Sequence, residues 1–239
     1  MLGLLRTSRW IGFTALVLGT IIAFGILSRW QWSRAEEKRL EQVEIDIAGA
    51  GAPQPLTATP PPEWSAVTAT GRFDADRQVL VRQRPLEGQN GYWVLTPLIV
   101  GPGSTVWVNR GWLAATGPAT TTPPAPAPPT GEVTVSGWWR APEGPRDNTG
   151  LPEGMVAAVD PSTLPVPGTP PGFIQQREPV DDGLVAVPRP QPDAGRNISY
   201  AVQWLLFAAV ALVGWWYFLR REAADDAARH RDEHATVGG

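Results

Sequence analysis

The chain has 239 residues, a formal net charge of −3, no Cys, two His, 12 Trp, 25 Gly and 26 Pro. That length suggests one domain with extensions or two small domains. The charge excludes an electrostatically driven nucleic-acid binder, and the lack of Cys excludes disulfides, iron–sulfur clusters, thiolate zinc sites, thiolate copper transfer and Cys nucleophiles.

Residues 1–9 form a short tail carrying Arg6 and Arg9, and Trp10 to Leu27 is an uncharged 18-residue run. As a helix that run spans about 27 Å, close to the hydrocarbon thickness of a bilayer. A cleaved signal peptide is the rival reading, but Ser28-Arg29-Trp30-Gln31 supplies no small-x-small cleavage site, which favours a retained anchor. The charged stretch Arg34 to Val43 continues the helix beyond the lipid, and Gly49 to Pro62 is a Pro/Gly/Ala/Thr linker; together 28–62 reads as juxtamembrane helix and linker.

From 63 to 195 the pattern predicts a small, mainly antiparallel β domain, a barrel or sandwich. Runs rich in β-branched and aromatic residues fall at Trp64–Phe73, Gln78–Gln83, Tyr92–Val100, Thr105–Leu113, Glu132–Arg140, Met155–Val159, Phe173–Arg177 and Leu184–Val187. Gly88, Asn90 and Gly91, then Gly101-Pro102-Gly103, mark turns between them. Pro118 to Thr130, inside a Pro-rich loop at 117–131, holds six prolines in thirteen positions and reads as an extended excursion, since proline has no donor for a central strand.

A second uncharged run, Ile198 to Leu219 within 198–219, ends in Trp215-Trp216-Tyr217 before Arg220 and Arg221, as expected of a helix leaving the bilayer at the headgroup layer. Two spans place both termini on one side. The flanking charges conflict, with Arg29, Arg34, Lys38 and Arg39 following the first span. Long loops cross largely regardless of charge, so the reading is a cell-membrane protein with cytoplasmic termini and an extracytoplasmic central domain.

Chemistry is sparse. Lys38 is the single lysine, which leaves Ser–Lys and Schiff-base catalysis without material. No Gly-x-Ser-x-Gly, His-Glu-x-x-His or P-loop pattern occurs. Asp147-Asn148-Thr149-Gly150 is not an Asp-Thr-Gly motif, and Asp181-Asp182 reads as a turn cap before Gly183. His230 and His234, i and i+4 in the charged 220–239 tail, could share a helix face, but their acidic and basic neighbours favour a solvated tail over a metal site. The expectation is no catalytic residue, no metal site and no enzyme.

Four clusters stand out: Leu27 to Lys38, Asn90 to Leu98, Val106 to Leu113, and Asn197 to Trp204. In order and spacing they resemble the Surfeit locus protein family, membrane factors for cytochrome c oxidase biogenesis. Trp30, Gln31, Arg34 and Lys38 match its Trp-Gln-x-x-Arg-x-x-x-Lys motif, and Gly91, Tyr92, Thr96, Pro97 and Leu98 its Gly-Tyr…Thr-Pro-Leu strand. Val108 to Trp112 match Val-Asn-Arg-Gly-Trp, and Tyr200, Ala201, Gln203 and Trp204 match Tyr-Ala-x-Gln-Trp. The family commonly has a histidine, its candidate haem A ligand, where this chain has Asn197.

The resemblance implies a factor that assists haem A insertion into, or stabilises, oxidase subunit I. It implies subunit I as partner, with haem A synthesis proteins and the bilayer beside it, and haem A held transiently without an intrinsic cofactor. A permanent accessory subunit of a respiratory oxidase and a generic extracytoplasmic binding or sensor module are the alternatives. Haem or partner contacts are expected at Trp30, Gln31, Arg110, Tyr200, Gln203 and Trp204. Gln31 and Gln203 are placed to hydrogen-bond between the helix ends. The aromatics Trp30, Trp32, Tyr200 and Trp204 serve either as an interfacial belt or as a lipophilic-ligand groove. Asn109-Arg110-Gly111-Trp112 reads as a strand end entering a turn, with Arg110 either paired to a loop carboxylate or open to a haem propionate.

Overall fold

In a computed structural model the chain is described over residues 6–118, 122–167 and 170–237, with side chains up to Arg229. The first residues of the 1–9 tail, residues 119–121 of the Pro-rich loop, and the side chains of His230 and His234 lie outside the described residues. The chain divides into two units: residues up to 42 with 191 onward, and 43–190.

The first unit is a helix pair. Helix α1 (Ser8–Gly49) contains the first apolar run and continues past it. Beyond the lipid-length segment it is lined with exposed i,i+3 ion pairs, Arg34–Glu37 at 2.8 Å and Arg39–Glu36 at 3.6 Å, each worth only a few tenths of a kcal/mol. Helix α2 (Gly195–Val237) contains the second run; before it, the Asp193 carboxylate accepts the Gly195 N–H at 2.8 Å. Both helices are long and apolar enough to cross a membrane, and their apolar windows are almost wholly exposed, as lipid-facing surface should be. This is a two-span membrane protein with a β domain between the spans.

Small residues let the helices approach closely. Ala35 and Ala201 are buried, and the buried Ser28 hydroxyl donates to the Ala201 carbonyl at 2.9 Å. Farther along, Phe24 stacks on Trp204 with centroids 5.4 Å apart, and Trp215 Nε1 donates to Thr14 Oγ1 at 3.0 Å.

Among the described residues the second unit is a mixed eight-stranded sheet. Its strands are β1 (Gln54–Pro55), β2 (Ala66–Phe73), β3 (Val79–Val81), β4 (Gly91–Gly101), β5 (Ser104–Ala114), β6 (Glu132–Arg140), β7 (Met155–Val156) and β8 (Phe173–Glu178). They lie in the order β1-β2-β6-β8-β5-β4-β3-β7. A further β2–β4 pairing, Arg72 with Ile99 and Phe73 with Leu98, closes β2, β4, β5, β8 and β6 into a ring. One pair in that ring, β5–β8, is parallel. This is a five-stranded Greek-key barrel of the OB type. Val67, Leu98, Val106, Val108, Val135, Trp139 and Ile174 fill one part of its core, and Val81, Leu95, Trp107, Val156 and Phe173 another.

The sheet is mainly antiparallel, as expected, although β1–β2, β3–β7 and β5–β8 run parallel. It corrects several expected strand boundaries. The expected Trp64 and Gln83 strand ends are excluded by left-handed backbone, φ 68° and 57°. β7 stops at Val156, short of the expected Val159. The linker itself donates a strand, β1, to the sheet edge. Leu184–Val187 forms no strand: only Val185 bridges Trp112, and Pro188 and Pro190 beyond it have no N–H to continue a ladder.

Candidate functional site

Asn197 stands at the third helical residue of α2 and meets α1 across the pair. Its Nδ2 donates to Gln31 Oε1 at 2.8 Å, and its Oδ1 accepts from Lys38 Nζ at 2.9 Å. Lys38 also donates to the Asp193 carbonyl at 3.0 Å. An ammonium has only donors, so Lys38 fixes which amide atom faces it and turns the other toward Gln31. The first and fourth sequence clusters therefore meet in one polar clasp. Gln31 bonds to Asn197 and not to Gln203, the other glutamine placed at the helix ends, and Lys38 completes the group.

The clasp bears on iron ligation. Asn197 occupies the position at which the resemblance places a histidine, and both its amide atoms are engaged. An amide is in addition a poor iron ligand beside a neutral imidazole. The residues present at this position do not fit an axial ligand.

The remaining residues expected here separate. Trp30, Trp32 and Tyr200 are exposed, as interfacial anchors would be. Trp204 is drawn between Phe24 and Phe207 instead, with centroids 5.4 and 5.9 Å away. Gln203 is exposed and does not join the clasp.

Removing the clasp gives a direct test. Asn197→Leu loses both bonds and is expected to uncouple the helix ends by about 1–2 kcal/mol. Asn197→Asp keeps an acceptor for Lys38 and can take a hydrogen bond from a rotated Gln31 amide. Because the chain has no Cys, spin labels can be placed on the exposed Ser33 and Ser199. Their distance distribution should broaden in Asn197→Leu and stay narrow in Asn197→Asp. Equal widths would mean that packing alone holds this end.

In the β domain, the second and third clusters meet through Gln78. Its Oε1 accepts from Thr96 Oγ1 at 2.9 Å and from an Arg110 guanidinium nitrogen at 2.6 Å. Arg110 is not at a strand end, as the sequence suggests, but inside β5. Val94 pairs with Gly111 and Leu95 with Asn109, so Arg110 is the extra residue of a β-bulge. A bulge re-aims the side chain it carries. The neighbours make it possible: Asn109 Oδ1 accepts the Gly111 N–H at 3.2 Å, and Gly111 adopts φ 152°, where a Cβ would lie 2.9 Å from Leu184 Cβ.

The re-aimed guanidinium is fully buried. Nε donates to Asp181 at 2.5 Å, and the terminal nitrogens donate to the Pro126 and Ala127 carbonyls at 2.9 and 3.0 Å. Burial lowers its pKa from the ordinary value, and Asp181 pulls it back up. Of the two sequence readings, the pairing with a loop carboxylate is the one realised. In this conformation Arg110 ties the Pro-rich segment and the loop after β8 to the barrel. Gln78 and Asp181 were not legible as its partners, because neither lies near it in sequence.

A cleft of about 340 Å³ opens beside the start of β4, lined by Arg82, Gln83, Asn90, Gly91, Tyr92 and Met155 among others. Its walls come from the segment before β4, the ends of β4 and β5, and β7. Arg82 is half-buried there and makes no ion pair among the described residues. Chemically the cleft suits a carboxylate or phosphate, which a guanidinium binds in bidentate fashion.

Comparison with known proteins agrees with the four clusters. The sequence model of the SURF1 family matches residues 18–209, which contain all of them. A SURF1-like protein of Mycobacterium bovis is 29% identical over 234 residues, covering 89% of this chain and 84% of its own length. A SURF1-like protein of Mycobacterium tuberculosis gives the same figures, 29% over 234 residues. A SURF1-like protein of Dictyostelium discoideum is 28% identical over 118 residues, 44% of this chain and 43% of its own.

Proposed function

The chain belongs to the SURF1 family, and from that premise we propose that it is a membrane-anchored biogenesis factor for cytochrome c oxidase. In this reading it assists haem A insertion into subunit I or stabilises subunit I while haem A arrives. It acts by binding and positioning, without catalysing a reaction, with the termini in the cytoplasm and the barrel outside. The observation that supports this best is the Gln31–Asn197–Lys38 clasp, which joins the two sequence clusters flanking the spans. Haem A is cargo in this scheme. The chain supplies no axial ligand from position 197, so the iron keeps or receives its ligands from subunit I. The exposed aromatics Trp30 and Tyr200 are then contacts for the partner or the porphyrin at the membrane surface.

Reduced-minus-oxidised spectra of membranes from a strain lacking the gene, beside the parent, test the reading. Loss of the haem A signal with other cytochromes retained is the expected result. Complementation with Asn197→Leu should restore it poorly and with Asn197→Asp well. An unchanged haem A signal in the deletion strain would overturn the assignment. Stoichiometric recovery of the chain with mature, purified oxidase would make it a resident subunit instead.

A further inference from the structure

At the ends nearest the chain termini, the helix pair forms a lateral groove of about 440 Å³ lined by Arg9, Trp10, Phe13, Phe218 and Glu222. A polar hollow of about 320 Å³ adjoins it, sharing Arg9, Phe218 and Glu222 and adding Arg221, Asp225 and Arg229. The first part is aromatic: Trp10 meets Phe13 edge-on at 5.5 Å, and Phe13 meets Phe218 edge-on at 6.5 Å. Trp10 is only 4% exposed, yet its buried indole Nε1–H has no acceptor among the described residues. Buried donors almost always have one, so this N–H marks a place for an acceptor the chain does not supply.

The charges are unevenly used. Arg9 pairs with Glu222, Arg229 pairs with Asp226, and Arg220 lies over the Trp216 ring at 5.5 Å. Neither Arg221 nor Asp225, which line the same hollow, has an ion pair among the described residues. Groove and hollow thus offer one unpaired indole donor and one unpaired guanidinium beside an apolar aromatic wall, with the Glu222 and Asp225 carboxylates also in the lining. The groove lies where the uncharged spans end, which is where a spanning helix meets lipid headgroups. The positive end of the α1 dipole lies here too, and adds to the preference for an anion.

We propose that this groove binds one anionic phospholipid. Its phosphate accepts from Arg221 and, once the indole turns outward, from Trp10 Nε1, and an acyl chain covers Phe13 and Phe218. A single amphiphile satisfies both halves of the groove at once. A free phosphate would leave the aromatic wall bare, and a second copy of the chain would bring up the same arginines. The inference rests on the helix pair alone and is independent of any role in oxidase assembly.

Full-length protein in nanodiscs of phosphatidylcholine mixed with phosphatidylglycerol, released into native mass spectrometry, reads the bound lipid. One phosphatidylglycerol per chain is expected to persist, and Trp10→Phe and Arg221→Gln should each weaken its retention about five-fold. Arg29→Gln, at the other end of the apolar segment of α1, should leave retention unchanged. Circular dichroism establishes that the variants keep their helix content, and Arg221→Gln, on the helix surface, carries the test if Trp10→Phe does not. Equal retention in Trp10→Phe, Arg221→Gln and parent protein, equal retention of phosphatidylcholine, or chain dimers in place of bound lipid would each overturn the proposal.

Discussion

Arg110→Ala is expected to cost the β domain about 3–5 kcal/mol, enough to deplete the protein from membranes. The loss is large because the side chain serves several acceptors in a place water does not reach. Its removal leaves the Asp181 carboxylate, only 8% exposed, without a counter-charge. It also strips donors from Gln78 and from the Pro126 and Ala127 carbonyls. Arg110→Lys should recover little, since a single ammonium cannot reach acceptors spread around a planar fork. Asp181→Asn, which keeps an acceptor oxygen for Nε, should be milder than Asp181→Leu. Urea midpoints of the detergent-solubilised protein measure the order, with the slope unchanged if only stability has moved. An Arg110→Ala protein with a parental midpoint that fails only in oxidase assembly would return Arg110 to ligand binding.

The case of Arg110 shows where the sequence is readable and where it stops. The helices are legible because an uncharged run of bilayer length is a local property. Strands β4, β5 and β6 are legible for the same reason: alternation and flanking turns place Tyr92–Val100, Thr105–Leu113 and Glu132–Arg140 within a residue of their observed ends. What escapes is set by distant partners. Two-residue strands such as β1 and β7 carry no period of their own and exist only because β2 and β3 present an edge. The parallel β5–β8 pair that closes the barrel is a fact of topology, invisible to alternation. The bulge at Arg110 has a local cause in Asn109 and Gly111, yet an Asn-Arg-Gly triplet reads equally as a turn, and only the pairing to β4 decides. The clasp between the helices is half legible. Polar groups at both span ends invite a hydrogen bond, but Gln203 looked as suitable as Gln31, and it is the α-helical phase that turns Asn197 toward α1 and leaves Gln203 exposed.

Gly91 and Trp112, each in a different sequence cluster, are expected to behave as one unit. A Cβ on Gly91 would lie 2.3 Å from the Trp112 indole and 2.5 Å from the Leu113 carbonyl. The indole cannot retreat freely, because its Nε1 donates to the Arg84 carbonyl at 2.6 Å and the ring is buried. Gly91→Ala therefore overpacks the site and should cost about 1–3 kcal/mol. Trp112→Ala removes a buried ring and its hydrogen bond, at about 3–5 kcal/mol. In the double variant the ring is gone, so the new methyl meets only the Leu113 carbonyl and part of the void is filled. Its cost should fall below the sum of the single variants by about 0.5–3 kcal/mol. Urea midpoints of the four proteins close the cycle. Strict additivity would mean that Gly91 is required by the backbone approach to Leu113 alone, and that the two clusters do not act on each other.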